Sequence, residues 1–244
     1  MEKKLIDKKI ASAGSALHIN KFTKRDIKCP SKYINAFKSS EELPKKFADA
    51  EEYDYFLKFS NKHKTNPEFG WNTLSLQEQK VISGLEEYKI PAYIGYRQSL
   101  GLGLKRRNYK DKPIFALLEV ASACNIKCPF CFQSDQTFRR KPFMGVMKYD
   151  LYKKILDEAN DIGVGAITLA SRGEPTLHKN YVDMIEYTAS KKNIFELKTN
   201  TNASFLTEEI CHALLGNNVN QIVISADHYI KDEYEKRRLG SNFE

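Results

Sequence analysis

Four short apolar runs, at residues 114–118, 166–170, 195–199 and 221–225, punctuate the second half of this 244-residue chain. The last three begin 29 and 26 residues apart, close to the roughly 30-residue length of a strand–helix–strand unit. The intervening stretches carry helical periodicity. Asp150 can cap a helix presenting Leu151, Ile155, Leu156 and Ala159, with Gly163 as its stop. Val182, Ile185 and Ala189 form a second apolar stripe. Thr207 can cap a third helix, with Ile210 and Leu214 inward and Gly216 beyond its end. Strands alternating with helices predict an α/β fold, a parallel sheet with right-handed crossovers. The almost wholly apolar run 114–118 reads as a strand buried on both faces.

The first half reads differently. Residues 1–39 show no sustained period, whereas 41–59 read as a helix with Phe47, Tyr55, Phe56 and Phe59 inward. Residues 63–70 read as a loop. Ser75-Leu76-Gln77-Glu78 has the spacing of a capping box, followed by Val81, Ile82, Leu85 and Tyr88 on one face, with Pro91 ending the helix. Glycines from 95 to 103 suggest a connection, and 105–112 a basic linker. The formal charge of +8 resides entirely in residues 1–112, the remainder being nearly balanced. Such an extension could hold an anionic substrate or partner, although a solvated face is the simpler reading. The division expected is a basic, mostly helical extension, 1–112, and a core domain, 113–244. No run approaches the ~18–20 apolar residues that span a bilayer, so the default compartment is the cytoplasm.

Chemistry concentrates just after the first apolar run, in Cys124-Asn125-Ile126-Lys127-Cys128-Pro129-Phe130-Cys131. Thiolates this close together can converge on a soft-metal or iron–sulfur centre. Being three, they would leave one iron of a four-iron cluster without a protein ligand, as a working site needs. A zinc knuckle or three unrelated thiols are the alternatives. Zinc asks for a fourth ligand, and Cys29 and Cys211 are isolated while no His-x₃₋₅-His pair exists. Cys124, Glu174, Asn202 and Ser225 each fall at or just past the end of a different expected strand, where parallel α/β sheets bind ligands.

The Cys-x₃-Cys-x₂-Cys spacing, with Phe130 before the third cysteine, resembles the signature of the radical S-adenosylmethionine (SAM) superfamily, including its SPASM-type relatives. Arg172-Gly173-Glu174-Pro175 resembles the family's Gly-Gly-Glu segment, Thr201-Asn202-Ala203 its Thr-Asn-Gly segment, and Ile224-Ser225-Ala226-Asp227 its Ser-x-Asp segment. Arg172 and Ala203 stand where the family has glycines. The resemblance implies a partial (β/α) barrel and a [4Fe–4S] cluster on Cys124, Cys128 and Cys131. It further implies SAM on the fourth iron, and a 5′-deoxyadenosyl radical that abstracts hydrogen from an unidentified substrate. By the same resemblance Phe130, Gly173, Glu174, Asn202 and Ser225 contact SAM: Phe130 the adenine, Glu174 the ammonium, Asn202 the methionine end, Ser225 the ribose. No residue is singled out as acid, base or nucleophile. An electron donor such as a flavodoxin or ferredoxin is an implied partner, and Arg139-Arg140-Lys141 could meet an acidic substrate. With only four strands visible, the chain reads as an N-terminal portion of such an enzyme. The competing readings are a non-catalytic zinc-binding or interaction module and an inactive fragment.

Overall fold

The computed structural model describes residues 28–38, 61, 65–106, 113–217 and 219–243. The helix expected over 41–59 and the segments 1–27 and 107–112 lie outside the described residues. The chain divides into two compact units, Met1–Ala92 and Tyr93–Glu244.

In the first unit, helices α1 (Ser31–Lys38), α2 (Pro67–Thr73) and α3 (Leu76–Gly84) surround an aromatic centre. Tyr33 meets Phe37 and Trp71 edge-on, each with ring centroids 5.1 Å apart. The capping box at α3 forms as the sequence predicts: Ser75 Oγ accepts from the Glu78 amide, and the Ser75 amide donates to the Glu78 carboxylate at 2.7 Å. Three expectations are corrected. The stretch read as a loop is helical from Pro67, and Pro91 lies in the first turn of helix α4 (Ile90–Arg106) instead of closing the preceding one. The glycine-spaced residues 95–103 belong to α4, not to a connection, and α4 also takes in the start of the expected linker.

The second unit is built on strands β1 (Phe115–Leu118), β2 (Ala166–Leu169), β3 (Glu196–Thr201) and β4 (Gln221–Ile224), parallel and in sequence order. The register runs Leu118–Leu169–Thr199–Ile222 across the sheet. Helices α5 (Tyr149–Ile162), α6 (Tyr181–Ala189) and α7 (Glu208–Gly216) connect successive strands, and α8 (Lys231–Arg237) follows β4. Tyr152, Leu156 and Ala159 of α5, Met184 and Ile185 of α6, and Ile210 and Leu214 of α7 pack with Ile167, Leu169 and Leu197 into one core. Helix α5 starts two residues earlier than expected, with Lys148 as its N-cap in place of Asp150. Its inward positions are therefore 152, 156 and 159, and Leu151 is exposed. Gly163 closes α5 in the left-handed region at φ 81°, where glycine avoids the Cβ clash.

Strand β1 is not buried on both faces. Phe115 and Leu117 are 52% and 53% exposed, whereas Ala116 and Leu118 pack against the core. Side chains alternate along a strand, so Ala116 and Leu118 face the core built with α5, α6 and α7, and Phe115 and Leu117 face away from it. No described helix is long and apolar enough to cross a membrane.

Candidate active site at the strand ends

The carboxyl ends of the four strands open onto a cavity of about 420 Å³. Cys124, Cys128, Cys131, Phe130, Gly173, Glu174, Asn202 and Ser225, every site residue expected from the sequence, line it. The cysteine loop reaches this position through several ties. After β1 the chain makes a long excursion and returns, and an Ala121–Val146 antiparallel bridge closes its base. Inside the excursion Gln133 is buried, and its side-chain amide donates to the carbonyls of both Ser122 and Arg172 at 2.8 Å. The loop is thereby fixed to the exits of β1 and β2. From the other side the Lys127 amide donates to the Leu239 carbonyl at 2.7 Å, joining the loop to the segment after α8.

Gly173 explains how two segments approach so closely. A Cβ there would lie 2.1 Å from the Ala121 carbonyl oxygen, so only glycine fits. Arg172, standing where the resembled segment has glycine, turns back onto Glu119. Its Nε donates to Glu119 Oε2 at 2.8 Å and its backbone amide to the same oxygen at 3.0 Å. Ser122 Oγ donates to Glu119 at 2.6 Å. Burial pushes this carboxyl up, but the hydrogen bonds from Arg172, Ser122 and Ser171 outweigh it and hold the pKa at about 2.

Glu174 is 2% exposed and already well supplied with donors. Its Oε1 accepts from Thr201 Oγ1 and Thr176 Oγ1, each at 2.7 Å, and its Oε2 accepts from the Asn202 amide at 2.7 Å. The Thr176 amide adds a longer bond at 3.3 Å. A carboxylate offers about four lone-pair sites, so its side chain serves first to lock the end of β2 to the end of β3. Asn202, 6% exposed, donates through Nδ2 to Asn125 Oδ1 at 2.8 Å and toward Cys124 Sγ at 3.6 Å. The Ser225 amide donates to the Thr201 carbonyl at 2.9 Å.

Phe130 is 62% exposed, with the Arg238 guanidinium 5.8 Å from its ring centroid. Arg238 also pairs with Asp227, Nε to Oδ2, at 2.5 Å. Burial raises the Cys128 thiol above its ordinary value; Arg238 opposes this, while Cys124, Cys131 and Asp227 add to it. Of the basic run after the cysteines, Arg139 reaches the cavity wall and donates to the Gln133 carbonyl, whereas Arg140 and Lys141 are exposed. Cys211 sits on α7, half-buried, and does not line the cavity.

Several wall residues escaped the sequence reading: Gln133, Asn200 and Arg238, with Glu119 behind Arg172. Asn200 lies two residues before Asn202, and its Oδ1 is buried with no hydrogen-bond partner. Glu119 directly follows β1, so the rule that ligands gather at strand ends was available to find it.

The residues present fit a cluster and a polar ligand. Three thiols share one cavity, and a buried acceptor at its wall awaits a donor. Among the described residues no three Cys, His, Asp or Glu side chains close around a single metal ion. A polynuclear cluster takes each thiolate on a different iron, and three cysteines lining one cavity can supply them.

The family model of the radical SAM superfamily matches residues 118–244, and the chain belongs to that superfamily. Its members use a [4Fe–4S] cluster and SAM, and the four βα units are part of the superfamily's partial (β/α) barrel. Among curated proteins, the chain is 34% identical over 114 residues to the tungsten-containing aldehyde ferredoxin oxidoreductase cofactor-modifying protein of Pyrococcus furiosus, covering 46% of this chain and 30% of that one. It is 24% identical over 127 residues to a GTP 3′,8-cyclase of Desulforamulus reducens, covering 52% and 38%. The crystal structure of Streptococcus suis SuiB bound to S-adenosylmethionine superimposes with a TM-score of 0.48 at 18% identity, covering 80% of this chain and 45% of that one. The chain spans about a third of the length of the two curated relatives.

Proposed function

We propose that residues 113–244 form the cluster- and SAM-binding part of a radical SAM enzyme. The observation that carries this reading is the meeting, in one cavity, of three cysteines from a single loop with the ends of β2, β3 and β4. Cys124, Cys128 and Cys131 would hold three irons of a [4Fe–4S] cluster and leave the fourth open to SAM. Such a cluster, when bound and reduced, would supply the electron for reductive cleavage of SAM and so for hydrogen abstraction from a substrate.

The protein's own part is binding, orientation and electrostatics. Gln133 and the Gly173 close approach hold the cysteine loop against the sheet. Arg238 places a fixed positive charge beside Cys128, favouring its thiolate. The orphaned Asn200 Oδ1 is an acceptor for a ligand N–H or O–H. Glu174 sets a carboxyl group in the wall, where it would attract a ligand ammonium even though its oxygens bond first to Thr176, Thr201 and Asn202. Gly173, Ser225 and Phe130 complete the SAM-facing wall. Electrons would come from a flavodoxin- or ferredoxin-like donor.

Anaerobic reconstitution tests this. The expected result is about four irons and four sulfides per chain, as the cluster formula requires, and 5′-deoxyadenosine on reduction with SAM. Cys128→Ala should lose the cluster, and Cys211→Ala should keep it. Stoichiometric zinc with no iron uptake would replace the enzyme reading with a metal-binding module.

A further inference from the structure

We infer that Asn202 is a positioning residue for the cluster, acting by an N–H···S hydrogen bond to the Cys124 sulfur, and is not primarily a SAM contact. The inference rests on the cluster reading above. Asn202 Nδ2 lies 3.6 Å from Cys124 Sγ, within reach of a hydrogen bond to sulfur. Its second amide hydrogen is committed to Asn125 Oδ1 at 2.8 Å.

The orientation of the amide is determined by its other end. Asn202 Oδ1 accepts from the Ser204 backbone amide at 2.9 Å, so a flipped side chain would set oxygen against sulfur and leave that amide unpaired. The backbone is fixed as well. The Asn202 amide donates to Glu174 Oε2, and the preceding Thr201 hydroxyl donates to Glu174 Oε1. Buried Glu174 thus aims Asn202, and Asn202 aims at Cys124. Both amide hydrogens of the Asn202 side chain are used within the protein, which leaves none to donate to the carboxylate of a bound methionine group.

Cys124 is also the only one of the three cysteines whose sulfur receives a side-chain hydrogen bond among the described residues. Such a bond strengthens when its acceptor carries negative charge. Hydrogen bonds to ligand sulfur are among the levers that set cluster potentials, and outer-shell partners orient the ligand itself. Removing this one withdraws stabilisation from the more negative, reduced state, so the potential falls.

The test compares wild type with Asn202→Leu and Asn202→Ala as reconstituted 244-residue chains, by EPR-monitored redox titration without SAM. Iron content, thermal melting and SAM affinity are measured beside it. At a fixed solution potential the variants should show a reduced-to-oxidised ratio about tenfold lower, a 59 mV drop for a one-electron couple. Loss of iron with unchanged melting would also support the inference, because the ligand's orientation has then failed while the fold has not. Full iron with an unchanged potential, whether or not SAM affinity drops, overturns it. If wild type itself takes up no cluster, it is the radical SAM reading that fails, and the two failures are distinct.

Discussion

Ala203 sits in the left-handed region at φ 62°, at the turn where the resembled segment carries glycine. A β-carbon there costs roughly 1 kcal/mol or more of local strain, partly offset by the lower chain entropy of alanine in the unfolded state. Ala203→Gly should therefore stabilise the fold, by about 0.5–1 kcal/mol, seen as a higher denaturant midpoint at unchanged slope. A lower midpoint would show that the turn favours alanine for another reason. At Glu119 the prediction concerns pH. Its folded pKa, about 2, lies below the ordinary 4.5, so its contribution is complete above pH 4.5 and is lost as pH falls toward 2. Glu119→Gln should lower stability near neutrality, since the charged pair with Arg172 is lost. Its stability should also fall less than that of wild type between pH 4.5 and 2. Parallel pH curves for the two proteins would remove the assignment.

Elements were legible where their signals are local. The four strands appear within a residue or two of the apolar runs, and the Ser75 capping box and the Gly163 stop form where their spacing places them. Misreadings cluster at prolines. Pro91 reads as a helix end and 63–70, which contains Pro67, as a loop, yet each proline lies in the first turn of a helix, where the missing N–H is one that would have no intrahelical partner anyway. Glycine misled in the same way. Helix α4 tolerates Gly95 because Ile90, Tyr93 and Ile94 are buried, and tertiary packing overrides a propensity cost of about 1 kcal/mol per glycine. At the site, the cysteine triad and the strand-end segments show themselves as short motifs. The Glu119–Arg172 pair spans 53 residues, and Gln133 bridges two separate segments. No local pattern announces either; both follow from the sheet bringing the ends of β1 and β2 side by side.

For the molecule as a whole, the sheet's outline matters as much as its site. Among the described residues β4 pairs only with β3 and β1 only with β2, so each presents an unpaired strand edge. Among the described residues neither edge carries the usual protection. Ile224 on β4 is 57% exposed, and on β1 the exposed row is Phe115 and Leu117. An open parallel edge beside exposed apolar side chains is a template for another strand. The 244-residue chain by itself should therefore self-associate with rising concentration, and a charge placed at the edge should oppose it. Sedimentation velocity of wild type and Ile224→Lys makes the comparison, with Leu117→Lys separating the β1 edge from the β4 edge. The expected outcome is a concentration-dependent shift to larger species in wild type, reduced by the lysine at whichever edge is used. A wild-type protein that stays monomeric throughout would mean that the apolar edges are covered within the chain, and the open-sheet account would fall.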